Sequence, residues 1–166
     1  MYFDLLIKDV KIVDIVNKDI VDGYIAISDG NFILTERGIP DTEIQKLSKE
    51  IKEGNGFYAI PGLIDTHMHI ESSFMTPWTF SQITVPFGLS TILWDFHEIA
   101  NVSGIEGIKD IYKKSKNLPI NIYLAIPSCV PATDESLETP NFQFTKREIE
   151  ILAKEEGVVS LGEVMD

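Results

Sequence analysis

An α/β fold of parallel βα units is what this sequence predicts, and three observations carry it. His69, His97, Cys129 and Glu163 each stand at the end of an apolar run and recur about 30 residues apart, the length of one βα unit. Between them, β-branched runs alternate with helix start and stop signals. Before residue 59 the texture is different, with short alternating strands and turns only. Right-handed parallel units in series close into a doubly wound sheet or a (β/α)8 barrel, and in both the chemistry gathers at the carboxyl ends of the strands. A complete barrel takes about 250 residues. The region here has about half of that.

Each element has its own local reason. "DLLIKDVKIVDIV" and "GYIAISDGNFILTE" alternate apolar with polar residues, and Asp29-Gly30-Asn31 reads as the turn between two of the runs. "AIPGLIDTHMHI" reads as the first strand of the second region. Thr76 followed by Pro77 is an N-cap with proline at the first helical position, and that helix ends near Gly88. "STILWDFH" is the next strand, "SGIEGIKDIYKKSKN" the next helix and "PINIYLAIPSCV" the third strand. Thr145 to Glu148 forms a capping box that opens a third helix, closed by Gly157, and "VVSLGEV" is the fourth strand. Two domains are expected, residues 1–58 and 59–166.

Composition narrows the function classes. The chain is 44% hydrophobic and 24% charged, as ordinary globular proteins are, and its net charge is −12. Clustered Lys and Arg are what phosphate-backbone binding needs, so no nucleic-acid partner is expected. Cys129 is the single cysteine, which excludes an internal disulfide and fits a reducing compartment. The start "MYFDLLIKDV" has no basic region or cleavage site, and no apolar run reaches membrane-span length. A cytoplasmic protein with no membrane partner is the expectation.

The candidate site begins at "PGLIDTHMHIESS", which holds two of the three histidines. Residues i and i+2 of a strand face the same way, so Asp65, His67 and His69 form one column. Two imidazoles in that column can share one divalent metal, because neutral imidazole is the common ligand for Zn, Mn, Fe or Co. A pair of surface histidines at a strand end is the plain alternative. Asp65, one layer deeper, is placed to take an imidazole N–H behind a ligand. "WDFHEIAN" repeats the pattern with Asp95 and His97, His97 as a ligand or its support; Glu98 would point the other way unless the strand has already ended. Glu163 in "SLGEVMD" is a carboxylate placed to bridge two metals.

Two familiar zinc patterns fail on inspection. "HEIAN" has Asn101 where a zinc-protease helix needs its second histidine. His69-Ile70-Glu71 matches the H-x-E of cytidine-type deaminases, but one cysteine cannot supply their P-C-x-x-C. Cys129 reads as a small buried hydrophobe rather than a nucleophile.

Taken together, "PGLIDTHMHIESS" resembles the first-strand signature of the amidohydrolase superfamily of metal-dependent hydrolases. "HIESS", "DFHEIANVSGIEGI", "PSCVPAT" and "SLGEVMD" resemble, in order and over nearly the whole chain, its adenine deaminase family. Phe96 departs from the Asp-Pro-His-Glu usual there, at a position that is not a ligand. The resemblance implies a (β/α)8 amidohydrolase barrel with a small β-sandwich, and a site for two divalent transition-metal ions (Mn, Fe or Zn). It implies that His67 and His69 bind one ion and that Glu163 bridges the pair, where many relatives use a carboxylated lysine. The implied reaction is adenine and water to hypoxanthine and ammonia, a step of purine salvage, with a small purine as substrate. A divalent ion lowers the pKa of bound water enough to supply hydroxide at neutral pH, and a proton shuttle must complete the exchange.

That shuttle, an aspartate in relatives, belongs to a later strand, so no catalytic residue is named among these 166. The chain is expected to be a truncated product, a fragment or half of a split enzyme, inactive alone, and to form a homo-oligomer or pair with a complementing chain. Two other readings stay open. One is an amidohydrolase acting on cyclic amides, of the dihydroorotase or allantoinase kind, which a lysine at position 163 would have favoured. The other is a non-catalytic fragment that binds metal or a partner.

Overall fold

Alternation of apolar side chains builds the first sheet. The computed structural model describes residues 2–134 and 136–165, which divide into two units, Met1–Pro61 and Gly62–Asp166. In the first unit β1 (Phe3–Asp14) pairs antiparallel with β2 (Asp19–Ser28), and β2 with β3 (Asn31–Arg37). The turn between β2 and β3 has Asp29 and Gly30 both at positive φ, 49° and 72°, as a tight two-residue hairpin requires. A short helix, α1 (Thr42–Lys46), is capped by the Asp41 side chain and leads into β4 (Ser48–Glu53). β4 and the two-residue β5 (Tyr58–Ala59) both run parallel to β1, one after the other along it. Between their two contact stretches β1 carries an irregularity at Asp9, whose φ is 56°.

Period two sends side chains to both faces of this sheet. Phe3, Leu6, Tyr24 and Ala26 form one buried cluster with Ile44 and Leu47 over it. Val10, Ile12 and Ile25 form another on different neighbours, Ala59 among them.

The second unit is a four-stranded parallel sheet in the order β6 (Leu63–Met68), β7 (Leu89–Asp95), β8 (Asn121–Ile126), β9 (Val158–Leu161). Sequential parallel strands need a crossover each, and the helices supply them. α2 (Pro77–Thr84) begins as expected, with Thr76 accepting the Thr79 N–H and proline at the first helical position. α3 (His97–Ser115) starts six residues before the expected helix. Its two segments meet at Gly104, where φ 61° and ψ −159° leave the helical region; a side chain there would press on the Phe142 ring. The expected helix from Ser103 corresponds to the second segment. α4 (Lys146–Leu152) carries the capping box in full: Glu148 accepts the Thr145 N–H and Thr145 Oγ1 accepts the Arg147 N–H.

The core of this unit lies between sheet and helices. Ile92, Trp94 and Leu124 meet Phe80, Ala100, Ile108 and Leu152 there, and Met68 packs against the same cluster. If Ile92, Trp94 and Met68 face the helices, then Asp95 on β7 and His67 on β6 face the opposite way, by the same period of two. That places His67 and Asp95 on one side. No helix of the described residues is long and apolar enough to cross a membrane.

Candidate metal centre

His67 lies one residue before the end of β6 and His69 one residue after it, so the strand delivers both rings to one spot. Their Nε2 atoms are 3.2 Å apart. The Asp95 carboxylate, at the last position of β7, brings Oδ2 to 3.9 Å from His67 Nε2. One ligand atom from each of His67, His69 and Asp95 lies within 4.8 Å of the others. Glu163, two residues beyond the end of β9, adds Oε1 at 3.3 Å from His67 Nε2 and 3.8 Å from His69 Nε2. Three strands thus converge two nitrogens and two carboxylates on one point.

This donor set fits a divalent transition metal. Zn–N bonds of about 2.0–2.1 Å put two ligand nitrogens about 3.3 Å apart in a tetrahedral shell, close to the observed spacing of the imidazole pair. Asp95 is wholly buried, yet its Oδ1 has no hydrogen-bond partner among the described residues. A buried, unpartnered carboxylate oxygen is costly unless something binds it.

The backbone around Glu163 is held on two sides. Its N–H donates to Asp95 Oδ2 at 2.9 Å, and its carbonyl accepts Ser128 Oγ–H at 2.7 Å and the Cys129 thiol at 3.2 Å. Gly162 makes the first contact feasible, because a Cβ there would overlap the Asp95 carboxylate. Neither Ser128 nor Gly162 could be read from the sequence as part of the site; the signal is a contact between strands.

The remaining predicted residues fall as follows. Asp65 is exposed, and its Oδ1 accepts the backbone N–H of His67 at 3.1 Å rather than an imidazole N–H. His97 does not continue the strand: β7 ends at Asp95 and His97 is the first residue of α3. It is buried with both ring nitrogens unpartnered among the described residues. Because the strand has ended, Glu98 turns toward the site, with Oε2 at 3.1 Å from His69 Nδ1 and Oε1 accepting Ser72 Oγ–H at 2.8 Å. Behind them Trp94 Nε1–H donates to Glu71 Oε2 at 2.6 Å.

Burial pushes the Asp95 carboxyl above the ordinary aspartate range, against the opposing pull of the Glu163 N–H and the nearby imidazoles. Burial does the same to Glu71, against the Trp94 N–H. A carboxyl whose pKa is higher folded than unfolded binds more protons in the folded state between the two values, so stability falls as pH rises through that window. With metal absent, the difference in unfolding midpoint between Asp95→Asn and the native chain should therefore grow in favour of the variant from about pH 4, the ordinary aspartate value, toward neutrality. Asparagine keeps an acceptor for the Glu163 N–H. Thermal melts across that range check this, and parallel curves would contradict it.

Comparison with known proteins agrees with the geometry. Residues 58–166 match the Amidohydrolase family. An adenine deaminase of Clostridium perfringens is 40% identical over 166 residues, all of this chain and 28% of that protein. An adenine deaminase of Thermosipho africanus is 41% identical over 165 residues, 98% of this chain and 27% of that protein. The chain therefore spans a little over a quarter of the length of these curated relatives. Among solved structures, atrazine chlorohydrolase TrzN from Arthrobacter aurescens TC1, complexed with zinc, superposes with a TM-score of 0.60 at 13% identity, covering 95% of this chain and 46% of that one. At that identity the likeness is one of fold.

Proposed function

We propose that this chain, which belongs to the amidohydrolase family, supplies the metal-binding part of a hydrolase that converts adenine and water to hypoxanthine and ammonia. In this reading residues 59–166 are the first four βα units of a (β/α)8 barrel, and residues 1–58 are part of a small β-sandwich. The convergence of His67, His69, Asp95 and Glu163 supports it most directly. The full-length identity to adenine deaminases supports the choice of substrate.

His67 and His69 would hold one divalent ion (Mn, Fe or Zn) through Nε2, and Glu163 would reach it and a second ion, with His97 as a further ligand for the pair. Asp95 stands with the ligands and also fixes the Glu163 backbone through its N–H. When bound, a divalent ion supplies Lewis acidity that makes a hydroxide nucleophile available at neutral pH. The side chains named here bind and orient. None of them is assigned the proton transfers to the purine ring and the departing ammonia, which the reading leaves to an aspartate from a later strand.

The partner expectation follows from the sheet. β6 and β9 are its outer strands, and Leu63, Ile64, Val159 and Leu161 on them are exposed. Unpaired strand edges with exposed apolar side chains recruit further strands, from a second copy or from a complementing chain.

Metal analysis of the purified chain should find a divalent transition metal that falls sharply in His67→Ala; equal content in the two would overturn the ligand assignment. The 166-residue chain alone should release ammonia from adenine far more slowly than about 1 per second, the low end of ordinary enzyme turnover. A chimera in which the Clostridium perfringens relative supplies the length beyond residue 166 should deaminate adenine. Failure of a folded, metal-loaded chimera to do so would overturn the substrate.

A further inference from the structure

A metal-binding imidazole must present a lone pair, so its proton has to sit on the other ring nitrogen. Which nitrogen carries it is set by the hydrogen bond that the other end of the ring makes. For His69 the end facing His67 and Glu163 is Nε2, at 3.2 Å and 3.8 Å. Nδ1 faces away from them and meets Glu98 Oε2 at 3.1 Å. A carboxylate only accepts, so this contact requires the proton on Nδ1.

Glu98 is itself oriented. Its other oxygen accepts Ser72 Oγ–H at 2.8 Å. Ser72 lies in the 3-10 turn Glu71–Ser73 directly after His69, while Glu98 stands in the first turn of α3. The chain segment that carries the ligand thus also carries the hydroxyl that steadies its partner.

We infer that Glu98 is a positioning residue: steadied by Ser72, it holds His69 in the tautomer with the proton on Nδ1, leaving Nε2 free to bind the metal. The inference rests on His69 being a ligand, as proposed above. It assigns to Glu98 a task that the spacing of the sequence offered to Asp65, whose carboxylate is spent on the His67 backbone.

The test reads the tautomer first, without metal. Nitrogen-15 NMR of the imidazoles resolves three rings, assigned with His67→Gln and His97→Gln. The native chain should show His69 protonated on Nδ1, and Glu98→Ala should shift that ring toward protonation on Nε2, with His67, whose Nε2 shares the 3.2 Å contact, moving its own proton to Nδ1 in step. Zinc affinity, measured by calorimetric titration of the same proteins, should fall about 10- to 100-fold in Glu98→Ala, the usual loss for removing a carboxylate behind a histidine ligand. Glu98→Gln should recover part of both effects, since its amide oxygen can still accept, and Ser72→Ala should show a smaller loss of the same sign. Glu98 is exposed on one side, so folding should survive, and circular dichroism checks it. A His69 ring that keeps its proton on Nδ1 in Glu98→Ala, or zinc affinity unchanged in that variant, would overturn the inference. Absence of zinc binding by the native chain would overturn the metal site instead, and the tautomer would still decide what Glu98 does.

Discussion

Gly162→Ala is expected to cost the chain most of its metal affinity while the rest of the parallel sheet stays folded. A Cβ at this position would overlap the Asp95 carboxylate, which is wholly buried and has little room to retreat. Either Asp95 turns away and gives up the Glu163 N–H, or β9 moves back and carries Glu163 with it. Both outcomes separate donors that now lie 3.3–3.9 Å from His67 Nε2. Losing a hydrogen bond to a charged acceptor costs about 1.5–3 kcal/mol. Displacing a group that orients the ligands costs about 10- to 100-fold in affinity. Calorimetric titration with zinc or manganese reads the affinity, and a melt of the metal-free variant reads the stability. Native affinity in the variant would show that Asp95 and Glu163 do not need their present contact.

Trp94→Ala should produce the largest loss of stability. The indole is wholly buried, stacks on Phe96 with ring centroids 4.0 Å apart, and belongs to the cluster that joins the sheet to α2, α3 and α4. Truncating a buried tryptophan typically costs about 3–5 kcal/mol, and the size depends on how far the cavity collapses. Here a second penalty is added. Trp94 Nε1–H is the side-chain partner of Glu71 Oε2, and Glu71 Oε1 is already buried without one, so the variant removes that donor from a carboxyl group that burial already disfavours as an anion. An unfolding midpoint lower by more than about 10 °C is expected for a unit of this size. Trp94→Phe weighs the two effects, since it keeps a stacked ring and loses the donor with a much smaller cavity. A small shift in Trp94→Ala would mean that the cluster repacks around the gap.

Much of the architecture was legible because its causes are local. The Thr76-Pro77 start of α2, the capping box of α4 and the Asp29-Gly30 turn each depend on residues within one or two turns of chain, and the structure has all three. The four apolar runs after residue 58 became four parallel strands in sequential order. The histidine pair was legible for the same reason: two residues apart along a strand means one face, whatever the strand later packs against.

The end of β7 was not local. "STILWDFH" stays apolar past Asp95, and nothing in its pattern says where pairing stops. The ladder with β8 ends at Asp95 opposite Ala125, and Phe96, at φ −85° and ψ 32°, turns the chain into α3. That turn takes His97 off the strand face and swings Glu98 toward His69. The contact of Gly162 with Asp95 is of the same kind, joining residues far apart in sequence. Periodicity and capping, which act over a few residues, determined by themselves the order of strands and main helices after residue 58 and the strand that bears the two imidazoles. They did not determine α1, where only strands and turns were expected. Only the tertiary structure decided which carboxylates meet those imidazoles, because a strand's end and a close approach between strands are set by the neighbouring chain, and a side chain's own sequence context carries no information about that neighbour.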